Sequence, residues 1–401
     1  MNNAIQHLAH ISAKEERMII GLMSGTSMDG LDLALCKMSG SGTQTEIMLE
    51  EFTTLSYPDE IQQILKEVVS VPKCSLEELC IFNTYLGEFT ADLILEALDK
   101  WEVEPSSIDC IASHGQTIYH APKSRHKRSG LPNATLQMGD GDHIARQTRI
   151  ITISDFRQKH TAAGGEGAPM ASLIDRMLFD DPDKNRLLLN IGGIANFSYL
   201  PAAGSSRSFT TADSGPGNTL LDAASQRMLD QPFDKGGRTA RKGEINQDLL
   251  EALKDDPYFE LDPPKTTGLE HFNWSYAKRA RMVSNAEDLS APDLLATLTQ
   301  FTIQTITDAV KKIHPESKTL EVLVSGGGVH NTFLMESLQN ELGNTAFKSF
   351  EEYFFNADAK EAVCFAVLAN ELLAGEGFPI SAIDHTKSKG KINFGKISLP
   401  G

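Results

Sequence analysis

Gly21-Leu-Met-Ser-Gly-Thr-Ser-Met-Asp-Gly30 is the stretch that decides the fold class. It follows the apolar pair Ile19-Ile20, and Leu31, Leu33 and Leu35 alternate after it, so the segment reads strand, glycine turn, strand. Small residues at Ser24, Gly25, Thr26 and Ser27 let backbone N–H groups and hydroxyls converge on an anion. Asp29 repels a phosphate, but a carboxylate there can hold a hydrated Mg²⁺, and Asp32 lies just beyond on the outgoing strand. An ordinary hairpin turn is the bland alternative. The dense mix of glycine, hydroxyl and acid favours a phosphate turn that also includes Met28, Gly30 and Leu31. Neither GxxxxGK[ST] nor a helix-opening GxGxxG is present, which argues against P-loop and dinucleotide-binding folds.

The same device recurs along the chain. Leu187–Leu189 run into Asn190-Ile-Gly-Gly193, and Val322–Val324 run into Ser325-Gly-Gly-Gly328. A buried strand feeding a glycine turn places backbone donors at the strand end, where open α/β sheets bind ligands. Gly192 and Gly193 with Asn196 are expected to form a second phosphate turn, facing the first. Gly326, Gly327 and Gly328 remove the side-chain bulk from a third turn. Met18–Met38 and Leu187–Leu200 share one plan, which suggests two duplicated α/β halves. The expected divisions are a leader over residues 1–17, a first domain over 18–182, and a second over 183–401 whose terminal segment packs back on the first. Phe82, Leu86, Phe89, Leu93 and Ala97 line one helical face, as do Leu295, Leu298, Ile306, Ala309 and Ile313; both read as core.

The 401 residues are 40% hydrophobic and 23% charged, a globular composition long enough for two domains. No apolar run has the length to cross a bilayer. Met1–Arg17 lacks an apolar h-region, so it reads as a poorly ordered leader and not a secretory signal. A formal charge of −17 disfavours nucleic-acid backbones. The basic run Lys123–Arg128 reads as a solvated loop. Five cysteines with no CxxC or zinc spacing fit a reducing cytoplasm.

The glycine turn at residues 21–30 resembles the first phosphate loop of the anhydro-N-acetylmuramic acid kinases, within the sugar kinase/Hsp70/actin superfamily. The likeness continues in order through Ser113-His-Gly-Gln-Thr117, Gln137-Met-Gly-Asp140, Ser154-Asp-Phe-Arg157 and Ala163-Gly-Gly-Glu-Gly-Ala-Pro169. Beyond these come Leu189–Ile194, Asp213-Ser-Gly-Pro-Gly-Asn218, Phe233-Asp-Lys-Gly-Gly237, Ser325–Asn331 and Asp358-Ala-Lys-Glu361. The resemblance spans Met18 to about Leu373. It implies two actin-like (ribonuclease H-like) α/β domains flanking a nucleotide and substrate cleft, and a homodimer. The implied reaction uses ATP and Mg²⁺: water opens 1,6-anhydro-N-acetylmuramic acid at its anomeric carbon, and O6 takes the γ-phosphoryl group, in peptidoglycan recycling.

By matching the family's DxGPxN motif, Asp213 is the expected base that activates water; from its position alone, a cap before the following helix fits equally. Asn218 reads as that helix's N-cap and Asp222 as a first-turn acid favoured by the helix dipole. Glu361, opening the apolar run Ala362–Leu373, is the second carboxylate, with a surface acid as the alternative. His114, Gln116 and Thr117 form a polar cluster suited to sugar hydroxyls, joined by Gly167 through the resemblance. Asp155 and Arg157 follow the Ile150–Ile153 run. Arg157 either clamps the lactyl carboxylate of the sugar or pairs with an acid structurally.

Three departures from the family pattern stand out. Leu269 occupies a position where arginine is usual, Glu166 one where glutamine is usual, and the Lys123–Asn133 loop is unusually basic. Two other functions fit the superfamily: a kinase acting on a free sugar or carboxylic acid without ring opening, and an ATP-binding regulator with slow hydrolysis.

Overall fold

The computed structural model describes residues 2–25, 28–168, 170–205, 207–314, 320–343, 346–379 and 390–401. Its contacts divide the chain into two units, Met1–Leu178 with Asp358–Gly401, and Phe179–Ala357.

The first unit opens with β1 (Glu16–Met23), β2 (Gly30–Ser39) and β3 (Glu46–Ser56), an antiparallel meander. β4 (Cys110–Ser113) runs parallel to β1. β5 (Gln116–Ala121) and β6 (Ala134–Met138) form a separate hairpin, and β7 (Thr152–Ser154) lies parallel to β4. One core gathers Ile20 and Leu22 of β1, Leu33 and Leu35 of β2, and Ile94 and Leu98 of the Leu76–Lys100 helix. That helix carries the apolar face expected from Leu86, Leu93 and Ala97, and the Ser75 hydroxyl caps it by accepting the Glu78 N–H.

The second unit repeats the plan. β8 (Asn185–Ile191), β9 (Ile194–Leu200) and β10 (Thr210–Pro216) form an antiparallel meander, and β11 (Leu320–Ser325) and β12 (Ala346–Ser349) extend it in parallel from β8. Strand order is β10-β9-β8-β11-β12. The Ala291–Ile313 helix buries Leu295, Leu298, Ile306 and Ala309 in this unit's core, as its spacing implies. A meander extended from its first strand by parallel strands is the ribonuclease H-like arrangement of actin-like domains, and each unit has it.

After the second unit the chain returns to the first. The Lys360–Ala374 helix lies on β1, and its residues Ala362–Glu371 are all buried. β13 (Phe378–Pro379) and β14 (Lys391–Ile392) pair briefly, and β15 (Lys396–Ser398) adds antiparallel to β7. The first sheet is therefore ordered β15-β7-β4-β1-β2-β3. Gly21 explains how closely the helix approaches: a Cβ there would sit 1.9 Å from the Ala362 carbonyl oxygen.

Two boundaries differ from the sequence reading. The division falls between Leu178 and Phe179, and the terminal segment expected to return to the first unit begins at Asp358, whose following helix covers β1. The expected disordered leader is instead the helix Asn3–Ala13, capped by the Asn2 side chain and anchored by fully buried Ile11. Arg17 is also buried, with its Nε–H donating to Asn370 Oδ1 at 2.7 Å.

The Thr219–Leu229 helix also departs from expectation. Asn218 holds its N-cap position, but the side-chain amide donates to the Ile191 carbonyl and makes no cap bond. Asp222 is half-buried, and among the described residues nothing hydrogen-bonds or ion-pairs with its carboxyl. Burial pushes it up to about 6, outweighing the helix dipole.

Gly21→Ala should lower the thermal midpoint by an amount equivalent to about 1–3 kcal/mol, because the helix must shift off β1; an unchanged midpoint would refute the packing argument. Asp222 has a folded pKa above its unfolded value. Its penalty is therefore absent below about pH 4, grows through the interval to about 6, and is full above it. Asp222→Asn should stabilise the protein at pH 7.5 by about 1 kcal/mol, discounted for solvent screening, and by nothing measurable at pH 4.

Candidate functional site

In the first unit, the β1–β2 turn carries the predicted phosphate loop. Thr26 and Ser27 lie outside the described residues. Ser24 is buried, and its hydroxyl donates to Gln116 Oε1 at 2.6 Å; Gln116 Nε2 returns a bond to the Gly25 carbonyl at 3.3 Å. Each end of that amide bonds to the turn, so Gln116 braces the loop. Met28 takes a left-handed φ of 56°. Its side chain packs against the unit's core, and that of Leu31 lies within it. Any ligand contact from these two is through backbone. The Gly30 position approaches Leu55, whose carbonyl oxygen would lie 2.7 Å from a Cβ.

Asp29 is exposed at the end of this turn, and Asp32 is half-buried on β2 with Thr54 Oγ1 donating to it at 2.6 Å. Burial raises Asp32, and the Asp29 and Asp358 charges raise it further, against the Thr54 bond. A carboxylate such as Asp32, whose ionisation its neighbours oppose, gains from a nearby cation. Its hard oxygens suit Mg²⁺, which keeps several waters and needs few protein ligands. Among the described residues no three acids, histidines or cysteines converge closely enough to chelate an ion alone. The residues therefore fit a hydrated ion and not a stripped one.

A second group in the same unit surrounds Arg157, at the start of the Phe156–Ala162 helix. Its Nε–H donates to His114 Nε2 at 2.9 Å and its Nη1 to the Gly167 carbonyl at 3.2 Å. Gly167, at φ 88°, also donates its N–H to His160 Nδ1. Glu361 opens the Lys360–Ala374 helix, where the Lys360–Asp175 ion pair at 2.8 Å anchors the first turn. Burial is the main cause raising the Glu361 carboxyl, followed by repulsion from Asp32; Lys360 and Arg157 oppose it. Glu361 is itself exposed, so the surrounding protein crowds its carboxyl without removing it from solvent.

Other predicted contacts have local partners. Thr117 accepts from Gln137 Nε2 at 3.1 Å. Asp155 pairs with Lys396 of β15 and takes a left-handed φ of 54°. Glu166 accepts from Ser124 at 2.9 Å, while Asn133 Nδ2 donates to the Gly164 carbonyl at 2.9 Å. The unusual acid and the basic loop thus tie the loop containing Gly164–Gly167 in place.

In the second unit, Asn190, Asn196 and Asp213 stand directly opposite one another across β8, β9 and β10, on one face. A bulge between Asp213 and Gly215 follows at once. Asp213 is half-buried; its N–H donates to the Lys265 carbonyl at 3.0 Å, and its own carbonyl accepts the Tyr258 hydroxyl at 2.7 Å. The Thr267 N–H donates to Asp213 Oδ2 at 2.8 Å, and Oδ1 has no hydrogen bond among the described residues. Burial raises this carboxyl above the usual aspartate range, opposed by the Thr267 bond.

The remaining glycines have distinct reasons. The Gly192 carbonyl accepts the Asn218 N–H at 2.8 Å and the Gly193 carbonyl the Gly217 N–H at 2.9 Å, and a Gly217 Cβ would lie 2.2 Å from Gly192 O. The turn is therefore locked to the helix start. Gly326, at φ 84°, and Gly328 press on Asn190 and Ile191, whereas a Cβ at Gly327 would make only an ordinary contact with Asn218 Nδ2 at 3.7 Å. Leu269, exposed, reaches the Gly193 turn. Asn190, Tyr258 and Thr267 are the contributors no sequence pattern singles out. Thr267 acts through its backbone N–H, for which a sequence carries no signal.

No described helix is long and apolar enough to cross a membrane. The family model for anhydro-N-acetylmuramic acid kinase matches residues 17–399. An anhydro-N-acetylmuramic acid kinase from Pseudoalteromonas translucida is 44% identical over 403 residues, covering 100% of both chains. Another, from Caldanaerobacter subterraneus subsp. tengcongensis, is 38% identical over 98% of this chain and 100% of its own. A third, from Bacillus thuringiensis, is 36% identical over 95% and 99%. With motifs matched from the first glycine turn to Glu361 and full-length coverage, the chain belongs to the anhydro-N-acetylmuramic acid kinase family.

Proposed function

We propose that this kinase converts 1,6-anhydro-N-acetylmuramic acid, water and ATP to N-acetylmuramic acid 6-phosphate and ADP. The observation that carries the reading is the seat of Asp213 in a chain of this family. One carboxylate oxygen is oriented by the Thr267 N–H, the other is unengaged among the described residues, and burial strengthens the group as a base.

Asp213 takes a proton as water attacks the anomeric carbon. The C1–O6 bond breaks, and O6 forms its bond to the γ-phosphorus as ADP departs. Opening a glycosidic bond by water normally requires an acid for the leaving oxygen as well as a base. Capture of O6 by the phosphoryl group removes that need, so one base suffices. Arg157 receives the lactyl carboxylate of the sugar, and Glu361 positions the ring. Donors of the β1–β2, Gly192-Gly193 and Gly326–Gly328 turns hold the nucleotide. Mg²⁺, held through water by Asp29 with Asp32 nearby, would neutralise phosphate charge. A cytoplasmic location, as the cysteine content suggests, and a homodimer complete the proposal.

With Mg-ATP and the 1,6-anhydro sugar in ¹⁸O-water, mass spectrometry should find a 6-phosphorylated sugar labelled at C1 at early times. Phosphorylation without label would overturn the water attack, and an unchanged sugar would point to a different acceptor. Asp213→Asn should bind ATP with near-normal affinity while kcat falls by about 10²–10⁴-fold. Near-normal turnover by this variant would remove Asp213 as the base.

A further inference from the structure

Arg157 makes two hydrogen bonds in the first unit, to His114 and to Gly167, and among the described residues it makes no ion pair within 4 Å. A guanidinium has five N–H donors. Three therefore remain, including both on Nη2, an arrangement suited to a carboxylate. The Glu361 charge acts on Arg157 without bonding to it. A half-buried arginine held by neutral acceptors, with its fork unspent, is built to receive an anion from elsewhere.

The His114 acceptor is itself held by packing, while its buried Nδ1 has no hydrogen-bond partner among the described residues. It lies in the link between β4 and β5 and is 2% exposed. Gly115 beside it takes φ 69°, where a Cβ would meet the Met138 carbonyl oxygen at 2.5 Å. The imidazole packs on Phe365 with ring centroids 4.7 Å apart, and Phe365 packs on Phe156 at 5.3 Å. Phe365 stands four residues after Glu361, one helical turn along the same face. Phe156 is the neighbour of Arg157. The helix that presents Glu361 thus also clamps the ring that holds Arg157. Because the Arg157 Nε–H donates to Nε2, the ring proton must sit on Nδ1.

We propose that His114 is a positioning residue, not a sugar contact: its neutral imidazole accepts the Arg157 Nε–H and thereby aims the three free guanidinium donors at the substrate's carboxylate. This rests on the proposed function for the identity of that carboxylate, but not for the His114–Arg157 geometry. Burial and the Arg157 charge keep the imidazole neutral, pushing it down to about 3, against a small opposing contribution from the Gly115 backbone. A protonated ring would lose the acceptor and face a cation.

Two measurements test this. In the ¹⁵N-labelled enzyme, NMR should show His114 protonated at Nδ1 alone from pH 5 to 8, and the Arg157 Nε–H slow to exchange. A proton on Nε2, or titration within that range, would overturn the proposal. In kinetics, His114→Leu should raise KM for the 1,6-anhydro sugar about 10–100-fold, as expected for a misplaced charged hydrogen-bond donor, with a smaller change in kcat. His114→Gln, which can present an oxygen near the Nε2 position, should recover most of that loss. An unchanged KM in His114→Leu, or no recovery with glutamine, would also overturn it. If the wild-type enzyme left this sugar unphosphorylated while the NMR signature held, the functional reading would fail and the positioning role would stand.

Discussion

The contact between Gly21 on β1 and the Ala362 carbonyl is the constraint on which the first unit depends. A helix can come that close to a strand only where the strand has no side chain. From this seat the Lys360–Ala374 helix brings Glu361 into the site, sets Phe365 against His114, and places Asn370 on Arg17. The Lys360–Asp175 pair fixes its start, and the Glu371 carboxylate accepts the Gly42 N–H near its end. Chain from beyond the second unit thus completes the first. Glu361 is positioned by the packing of its helix more than by anything local to it.

The second unit solves a similar problem with backbone. Asp213 is held firmly while one carboxylate oxygen has no hydrogen bond among the described residues. The bulge after it, the Lys265 and Thr267 backbone and the Tyr258 hydroxyl grip its main chain and one oxygen. Gly192, Gly193 and Gly217 join the β8–β9 turn to the Thr219–Leu229 helix, so strand, turn and helix hold a single geometry. Thr302, deep in the Ala291–Ile313 helix, adds its hydroxyl to the Gly217 carbonyl at 3.1 Å and ties the turn to the core.

What was legible in the sequence was local. Strand-then-glycine patterns around residues 21, 192 and 326 identify turns, and the alternation through Leu31, Leu33 and Leu35 and the helical stripe from Phe82 to Ala97 identify the elements around one of them. The reason for each glycine was not legible. Gly21 looks like part of a phosphate turn but serves a helix more than 300 positions away, and Gly326 and Gly328 serve packing against β8. Gln116 looks like a sugar contact, and the bonds its amide makes to Ser24 and Gly25 were not legible. The helix Asn3–Ala13 was missed although more than half of its residues are apolar, because what anchors it is the burial of Ile11 against the rest of the unit. Each failure has one cause: local pattern encodes an element's period and its turns, whereas the partner that makes a residue indispensable lies far along the chain.

The acids of the two halves share one energetic feature. Asp32, Glu361 and Asp213 are each raised by burial, and the first two also by neighbouring carboxylates. In the free protein these groups are held at some cost to stability, and the structure shows no compensating bidentate arginine for any of them among the described residues. Such a cost is what a site built for ligands should carry. In the proposed reaction a cation would relieve it for Asp32, a proton from water for Asp213, and a donor on the substrate for Glu361. Arg157 is the counterpart, a cation left with donors to spare because its neighbours His114 and Gly167 are neutral acceptors. Within the first unit, charge of both signs is thereby left without a bidentate partner among the described residues, and the Gly21 contact and the buried Lys360–Ala374 helix are what keep the acids and Arg157 in that arrangement.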